Sequence, residues 1–295
     1  MTDQKITPCL WFDDLAEEAA KFYASVFPNS KILETVPYSV ETPSNKPIGS
    51  VMTVSFELDG YKFLALNGGP FFKMNPAISF HVKCRSIAEV DAIWKKLSEG
   101  SKVMMPLGKY PFSERFGWLE DKYGLSWQVI FAGKEEVKQR FTPMLLFVGN
   151  VCGKAEEAIG LYCKVFKNSA AGSMLRYSKN EAPEKEGTLK YASVTIEGQE
   201  FMAMDSAREH KFAFSEGISF IIDCKNQGEI SYFYEKLSNY PESEMCGWLK
   251  DKFGVSWQLT TEEFEKLAKK KEVMQSLMEM KRLDINKLKK INERS

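Results

Sequence analysis

Apolar and polar residues alternate along much of this chain, and helical spacing interrupts the alternation at intervals. Ile6 to Phe12 reads as a strand. Asp13-Asp14 then offers an N-cap to a segment in which Leu15, Ala19, Phe22, Val26 and Phe27 share one helical face. Glu17 and Glu18 sit in its first turns, where they oppose the helix dipole favourably. Pro28-Asn29-Ser30 ends the helix, and Ile32 to Tyr38 starts a second strand. Glu41 to Pro47 is a polar loop rich in breakers. Val51 to Leu58 places Met52, Val54, Phe56 and Leu58 on one face, Asp59-Gly60 makes a hairpin turn, and Tyr61 to Leu66 returns. The order is βαβββ. A second unit of the same kind follows: strand Ile78–Cys84, helix Ile87–Leu97 with Ile87, Val90, Ile93, Trp94 and Leu97 inward, strand Val103–Leu107, and a closing hairpin over Gly117–Gln128.

That hairpin recurs. Gly-Trp-Leu-Glu-Asp-Lys-Tyr-Gly-Leu-Ser-Trp-Gln from Gly117 returns as Gly-Trp-Leu-Lys-Asp-Lys-Phe-Gly-Val-Ser-Trp-Gln from Gly247, nine of the twelve positions identical. In each copy Asp-Lys-aromatic-Gly is the turn, with glycine supplying the positive φ. Other segments repeat too. Phe141 to Phe147 restarts the pattern of Ile6 to Phe12, Leu161 to Ser169 that of Phe22 to Ser30, and Glu197 to Phe201 that of the Asp59-Gly60 turn. Ile218-Ser219-Phe220 repeats Ile78-Ser79-Phe80 at an offset of 140, whereas the hairpins are offset by 130. Ten residues are therefore missing from the second half between Leu237 and Gly247, where the first half has the strand around Val103–Leu107 and the loop after it.

The pattern implies an α+β protein of two tandem domains, residues 1–134 and a shortened 140–261, forming a pseudo-dimer within the chain. A tail over 262–295 carries Phe264, Leu267, Met274, Leu277, Met278, Leu283, Ile285, Leu288 and Ile291 at roughly helical spacing among many lysines. It reads as one or two amphipathic helices packed on the domains, with Asp284 capping a short last helix; the competing reading is a partner-binding or membrane-surface helix.

Composition removes several function classes. Lys plus Arg equals Asp plus Glu at 40 each, so no basic field awaits nucleic acid. The apolar runs are far shorter than the ~20 residues that span a bilayer, and no membrane partner is expected. The N-terminus from Met1 to Lys5 is polar and has no secretory pattern. Cys9, Cys84, Cys152, Cys163, Cys224 and Cys246 include no C-x-x-C pair, which favours free thiols and a cytoplasmic location. There is no G-x-S-x-G and no phosphate-binding G-x-x-x-x-G-K-[ST].

The four βαβββ units, the Phe-Asp-Asp opening at Phe12, Leu66-Asn67-Gly68-Gly69-Pro70, and the paired Gly-Trp-Leu…Trp-Gln hairpins resemble the vicinal oxygen chelate (glyoxalase/bleomycin-resistance) superfamily. Within it the chain looks like the PhnB-like family, often labelled 3-demethylubiquinone 3-methyltransferase-like. The resemblance covers residues 5–132 and 140–260 and implies that paired units curl into half-open barrels with a ligand in the concave cup. It also implies a divalent metal held by His, Glu or Gln. Here those positions carry Thr7 or Pro8, Thr142 or Pro143, Ser79, Ser219, Ala65 and Asn67; only Gln128 and Gln258 keep a donor. A lone amide oxygen does not hold a transition metal, so neither metal nor cofactor is expected. Methyl transfer has no support either. No G-x-G-x-x-G occurs, and Asn67-Gly68-Gly69-Pro70 leads into a strand, not a helix.

What remains is an aromatic cup. Trp11, Phe80, His81, Trp127, Gln128, Trp257 and Gln258 are the candidate ligand-binding residues, His81 because it shares strand parity with Ser79. His210 reads as a surface residue. The expectation is a small-molecule-binding protein without a catalytic metal. The alternatives are a metal-dependent lyase, isomerase or dioxygenase built on Gln128 and His81, and an interaction module acting through the tail. The ligand is not specified by the residues, and a dimer of whole chains stays open.

Overall fold

The computed structural model describes residues 4–134, 136–268 and 270–294; Met1 to Asp3, the first residues of the polar N-terminus, lie outside them. The first unit is β1 (Ile6–Phe12), α1 (Ala16–Val26), β2 (Lys31–Pro37), β3 (Val51–Leu58) and β4 (Tyr61–Asn67). The second is β5 (Ile78–Cys84), α2 (Ile87–Leu97), β6 (Lys102–Tyr110), β7 (Ser113–Glu120) and β8 (Ser126–Phe131). The third is β9 (Phe141–Phe147), α3 (Ala155–Val165), β10 (Ala170–Arg176), β11 (Leu189–Ile196) and β12 (Gln199–Asp205). The fourth is shorter: β13 (Ile218–Asp223), α4 (Gln227–Leu237), β14 (Trp248–Lys250) and β15 (Ser256–Thr260). Three helices close the chain, α5 (Glu262–Leu267), α6 (Lys271–Met278) and α7 (Ile285–Asn292). Among the described residues no helix is long and apolar enough to cross a membrane.

The units combine across the halves of the chain. A seven-stranded sheet joins the first and fourth units in the order β14-β15-β13-β1-β4-β3-β2, and an eight-stranded sheet joins the third and second as β10-β11-β12-β9-β5-β8-β7-β6. The seams are antiparallel pairs, β1 with β13, where Cys9 meets Ser219, and β5 with β9, where Ser79 meets Met144. Each half-barrel is thus built from one unit of each half, which repeat spacing alone does not disclose.

The two sheets share one core, between faces that also carry the helices. Phe63 of one sheet meets Phe80 of the other with ring centres 5.1 Å apart, and Phe201 meets Phe220 at 5.4 Å. The other face of each sheet looks outward. The first turn of α1 is not capped by Asp13 or Asp14. Asn67, at the end of β4, accepts the Ala16 N–H at 2.9 Å through Oδ1. Asp205, at the end of β12, does the same for Gly153 and Ala155 at 2.7 and 3.2 Å. The capping group comes from a neighbouring strand, since the N-cap residues Leu15 and Lys154 make no side-chain cap of their own.

The shortened unit has no counterpart of β6. Its place beside β14 is taken by the segment after α4, with Asn239 donating to the Lys250 carbonyl at 2.9 Å. The tail seals this flank. Cys246 N–H donates to Met280 O at 2.9 Å, Arg282 forms two 2.7 Å bonds to the buried Glu244, and Gln227 of α4 bonds Leu283 O and Ile285 N–H. Val273, Leu277, Leu283, Ile285 and Leu288 are buried there. Asp284 caps α7 as its sequence suggests, accepting the Lys287 N–H at 3.0 Å.

Candidate functional site

A strand's side chains alternate between its two faces, and this separates the candidate residues into two groups. Phe80, Trp127 and Trp257 face the core and are wholly buried. Trp127 is enclosed by Tyr23, Phe27 and Phe80, ring centres 5.3 to 5.8 Å away, and its Nε1 donates to Asp121 Oδ2 at 2.8 Å. Asp121 Oδ1 accepts the N–H groups of Tyr123 and Leu125. The second copy is built alike: Asp251 accepts from Trp257, Phe253 and Val255, and also from the Tyr162 hydroxyl at 2.7 Å. Burial pushes both carboxyls above the usual carboxylate range, and their hydrogen bonds oppose the shift. The repeated Asp-Lys-x-Gly-x-Ser-Trp motif is therefore a turn that locks a core tryptophan. Phe80, Trp127 and Trp257 are packing residues, sealed from the outward faces.

Gln128 follows Trp127 and points the other way. On the outward face of the eight-stranded sheet its Nε2 donates to Ser79 Oγ at 2.9 Å. His81 is the register partner of Gln128 on one side and of Thr142 on the other, and Gln128 is in turn opposite Trp118. A row Thr142–His81–Gln128–Trp118 thus crosses four strands. The adjacent row runs Met202–Met144–Ser79–Ser126, and Trp118 Nε1 donates to Ser126 Oγ at 2.7 Å. Phe116, on the hairpin that the other sheet lacks, lies 6.5 Å from the His81 ring and gathers Tyr110 and Phe112 around it.

Thr142, Ser79, Gln128, Met144 and Met202 are all buried on this face. Two polar atoms there are buried with no hydrogen-bond partner among the described residues, His81 Nδ1 and Thr142 Oγ1. Burial, with a smaller contribution from Lys83, moves the His81 ring down to about 4, so it is neutral at pH 7. A buried polar atom without a partner costs about 1–3 kcal/mol.

The seven-stranded sheet repeats the arrangement with different chemistry. Gln258 Nε2 donates to Ser219 Oγ at 2.9 Å. Ile221 stands where His81 stands, between Gln258 and Thr7. Cys9, opposite Ser219, is buried, and burial pushes its thiol up to about 11 against the hydrogen bonds of Gln258 and Ser219. Trp11 lies on this face, Nε1 donating to Gly69 O at 2.8 Å, its ring packed against Phe72 at 4.9 Å and Trp248 at 5.9 Å. A Cβ on Gly68 would lie 2.1 Å from that ring, which is why the Asn67-Gly68-Gly69-Pro70 stretch needs its glycine. The structure therefore brings His81 and Gln128 together on one face, and Trp11 and Gln258 together on the other. Met144, Met202 and Phe116 stand outside the residues singled out from the sequence, where Thr142 appears only as a metal-ligand position without a donor and Trp118 only as an aromatic of the repeated hairpin; the seam between β5 and β9 that joins them has no sequence signal.

Neither face fits the metal that the fold family implies. The eight-stranded face offers one imidazole, one amide and hydroxyls, the other an amide, hydroxyls and a buried thiol. No carboxylate joins either set, and no three His, Cys, Asp or Glu residues cluster among those described. His210 lies in a loop, its Nε2 3.0 Å from Ser206 Oγ. A surface cavity of about 450 Å³ opens elsewhere, between Phe214, Tyr240 and Gly254 at the end of the shortened unit, with the Glu216–Lys250 ion pair at its wall.

Sequence and structure comparisons agree with this architecture. A family profile described as 3-demethylubiquinone-9 3-methyltransferase matches twice, over residues 4–130 and 139–260. The PhnB protein from Bacillus cereus is 41% identical over 44% of this chain and 100% of its own, with a TM-score of 0.41. A protein from Staphylococcus aureus is 29% identical over 44% of this chain and 98% of its own, at 0.19. Glyoxalase I from Zea mays covers 86% of this chain and 90% of its own at 13% identity, with a TM-score of 0.51, a likeness of fold. No curated protein sequence matches the chain.

Proposed function

The chain belongs to the 3-demethylubiquinone-9 3-methyltransferase (PhnB-like) family, and from that premise we propose that it is a small-molecule-binding protein that works without a catalytic metal and without methyl transfer. Its site is the outward face of the eight-stranded sheet. The observation that carries this reading is the pair of buried, unpartnered polar atoms, His81 Nδ1 and Thr142 Oγ1, on adjacent strands of that face. Tyr23, Tyr61, Arg140 and Ser256 carry such atoms elsewhere, but these two stand side by side on one face, where a ligand that bonds both recovers the cost.

The donor sets speak against a lyase, isomerase or dioxygenase that depends on a transition metal. Methyl transfer would need a cleft for S-adenosylmethionine, ordinarily a glycine-rich turn from a strand into a helix. Here β1 enters α1 through Asp13-Asp14-Leu15 and β5 enters α2 through Arg85-Ser86. The tail buries Val273, Leu277, Leu283, Ile285 and Leu288 in the fold, which speaks against it as a recruiting element. The six cysteines are all free, in keeping with a reducing cytoplasm.

Two measurements test the reading. Elemental analysis of protein purified without chelator, with thermal shifts in Mn, Fe, Ni and Zn salts, is expected to give no stoichiometric metal and no strong stabilisation. A small-molecule screen read by tryptophan fluorescence is expected to yield a ligand whose affinity falls about tenfold or more in His81→Ile and Gln128→Leu and is unchanged in Gln258→Leu. A bound metal, or a ligand indifferent to His81 and Gln128, would sink the proposal.

A further inference from the structure

The eight-stranded face also constrains what it binds, and the following inference rests on that face being the site. We infer that its ligand is an uncharged, flat molecule with a carboxamide- or lactam-like edge, a hydrogen-bond donor and acceptor side by side on an aromatic body.

Charge comes first. Thr142, His81, Gln128 and Trp118 in one row and Met202, Met144, Ser79 and Ser126 in the next carry no formal charge, the imidazole being neutral at pH 7. The charges that flank these rows are Lys83 and Glu200, which neutralise each other at 2.7 Å, and Glu120 with its register partner Lys102, at the outer end of the second row. A carboxylate or an ammonium held between His81 and Gln128 would shed water with no opposite charge in its own row, which costs several kcal/mol. A neutral polar group pays far less.

The hydrogen-bonding pattern comes second. Gln128 spends its Nε2 on Ser79 Oγ, so Oε1 is left as an acceptor toward the ligand. Thr142 Oγ1 and His81 Nδ1 lack partners, and the hydroxyl can donate or accept. An amide edge fits this row: its N–H meets Gln128 Oε1, and its carbonyl accepts from Thr142 or from His81 in its Nδ1–H tautomer. The body of the ligand would lie over the half-buried Trp118, with the buried Met144, Met202 and Phe116 behind it. Thioethers favour aromatic partners, and the two tryptophan and phenylalanine rings on the hairpin add stacking area.

The test uses the full chain and three fragments of one shape: benzamide, benzoate and benzamidine. Binding is measured by ligand-observed NMR and by tryptophan quenching compared with that of Trp118→Phe, at concentrations up to about 10 mM, the range in which fragments of this size bind. Benzamide is expected to bind about tenfold or more tighter than either charged analogue. His81→Ile and Gln128→Leu are expected to abolish its binding while keeping native circular dichroism. Benzoate or benzamidine binding as well as benzamide, in a His81-dependent manner, would overturn the inference on ligand class and keep the site. Benzamide binding that survives both substitutions, or no binding by any of the three, would overturn the site as well.

Discussion

The two outward faces are built from the same parts and diverge at a few positions. Both carry a Gln–Ser pair at 2.9 Å, Gln128 with Ser79 and Gln258 with Ser219. Between that glutamine and a threonine, one sheet places His81 and the other Ile221. The eight-stranded sheet adds the β6–β7 hairpin, whose Phe116 stands beside His81. The seven-stranded sheet lacks it and fills its face with Trp11, braced by Phe72 and Trp248. Both faces keep buried polar atoms without a partner among the described residues, His81 Nδ1 and Thr142 Oγ1 on the eight-stranded sheet and Ser256 Oγ on the seven-stranded one; the seven-stranded face in addition ties its indole internally to Gly69. The repeated glutamine is a shared scaffold element, and specificity lies in what stands next to it.

The same asymmetry extends to the anchors of the sheets and gives the largest predicted effect. Arg140, just before β9, has a side chain only 4% exposed and reaches both Asp59 at 2.9 Å and Glu89 at 2.5 Å. Those carboxylates belong to the β3–β4 turn and to α2, so the guanidinium ties the two sheets together. Its counterpart before β1 is Lys5, 17% exposed and paired with Glu229 at 3.1 Å. Removing one partner of a buried pair strands the other charges and costs about 3–5 kcal/mol; since Asp59 and Glu89 keep some contact with water, about 2–4 kcal/mol is expected for Arg140→Met. Lys5→Met should cost less, about 1 kcal/mol, because water reaches the lysine and a single carboxylate is left unpaired. Urea denaturation of both variants measures the difference, and equal losses would show that the anchors are equivalent after all.

A smaller effect is expected at Gly68. A methyl group there would collide with the Trp11 ring, and overpacking of this kind typically costs about 1–3 kcal/mol. Gly68→Ala should expel the indole from the seven-stranded face, shift Trp11 emission to longer wavelength, and leave fragment binding on the eight-stranded face intact. Loss of benzamide binding in this variant would mean that the two faces are coupled, against the division drawn here.

Much of this was legible in the residues, for reasons that are local. Period-two alternation and the Asp59-Gly60 turn mark the β3–β4 hairpin, because side-chain direction and positive φ are properties of a few adjacent residues. The ten missing residues announce the absent fourth strand of the last unit. The duplicated hairpin announces the fold, but not which of its residues meets a ligand. Trp127 draws attention as a large repeated aromatic, yet its indole is spent on Asp121, and Gln128 beside it is the residue that turns outward. Long-range pairing was hidden. That β5 lies against β9, which sets Thr142 beside His81, follows from how two units of different halves meet, and no spacing in the chain records it. The Asn67 cap of α1 was hidden for the same reason, since Asp13 and Asp14 look like caps only while the end of β4 is unknown.

The last prediction exchanges the residue that most distinguishes the two faces. In the unfolded chain a histidine takes up a proton near pH 6.5, whereas folded His81 holds off until about pH 4. As pH falls through 6.5 the unfolded state binds one proton more than the folded state, so stability declines with pH down to about 4 and has no further slope from this residue below it. Lys83 on the same strand opposes protonation, but it is paired with Glu200, so burial dominates. His81 as a residue is only half-buried, which lowers the expected contribution to about 1 kcal/mol at pH 5. His81→Ile, copying Ile221, should therefore flatten the acid limb of a stability–pH profile between 6.5 and 4, and Ile221→His should steepen it. An acid limb unchanged by His81→Ile would mean that the ring is already protonated in the folded protein at pH 5, and with it the neutral character of the eight-stranded face would fall.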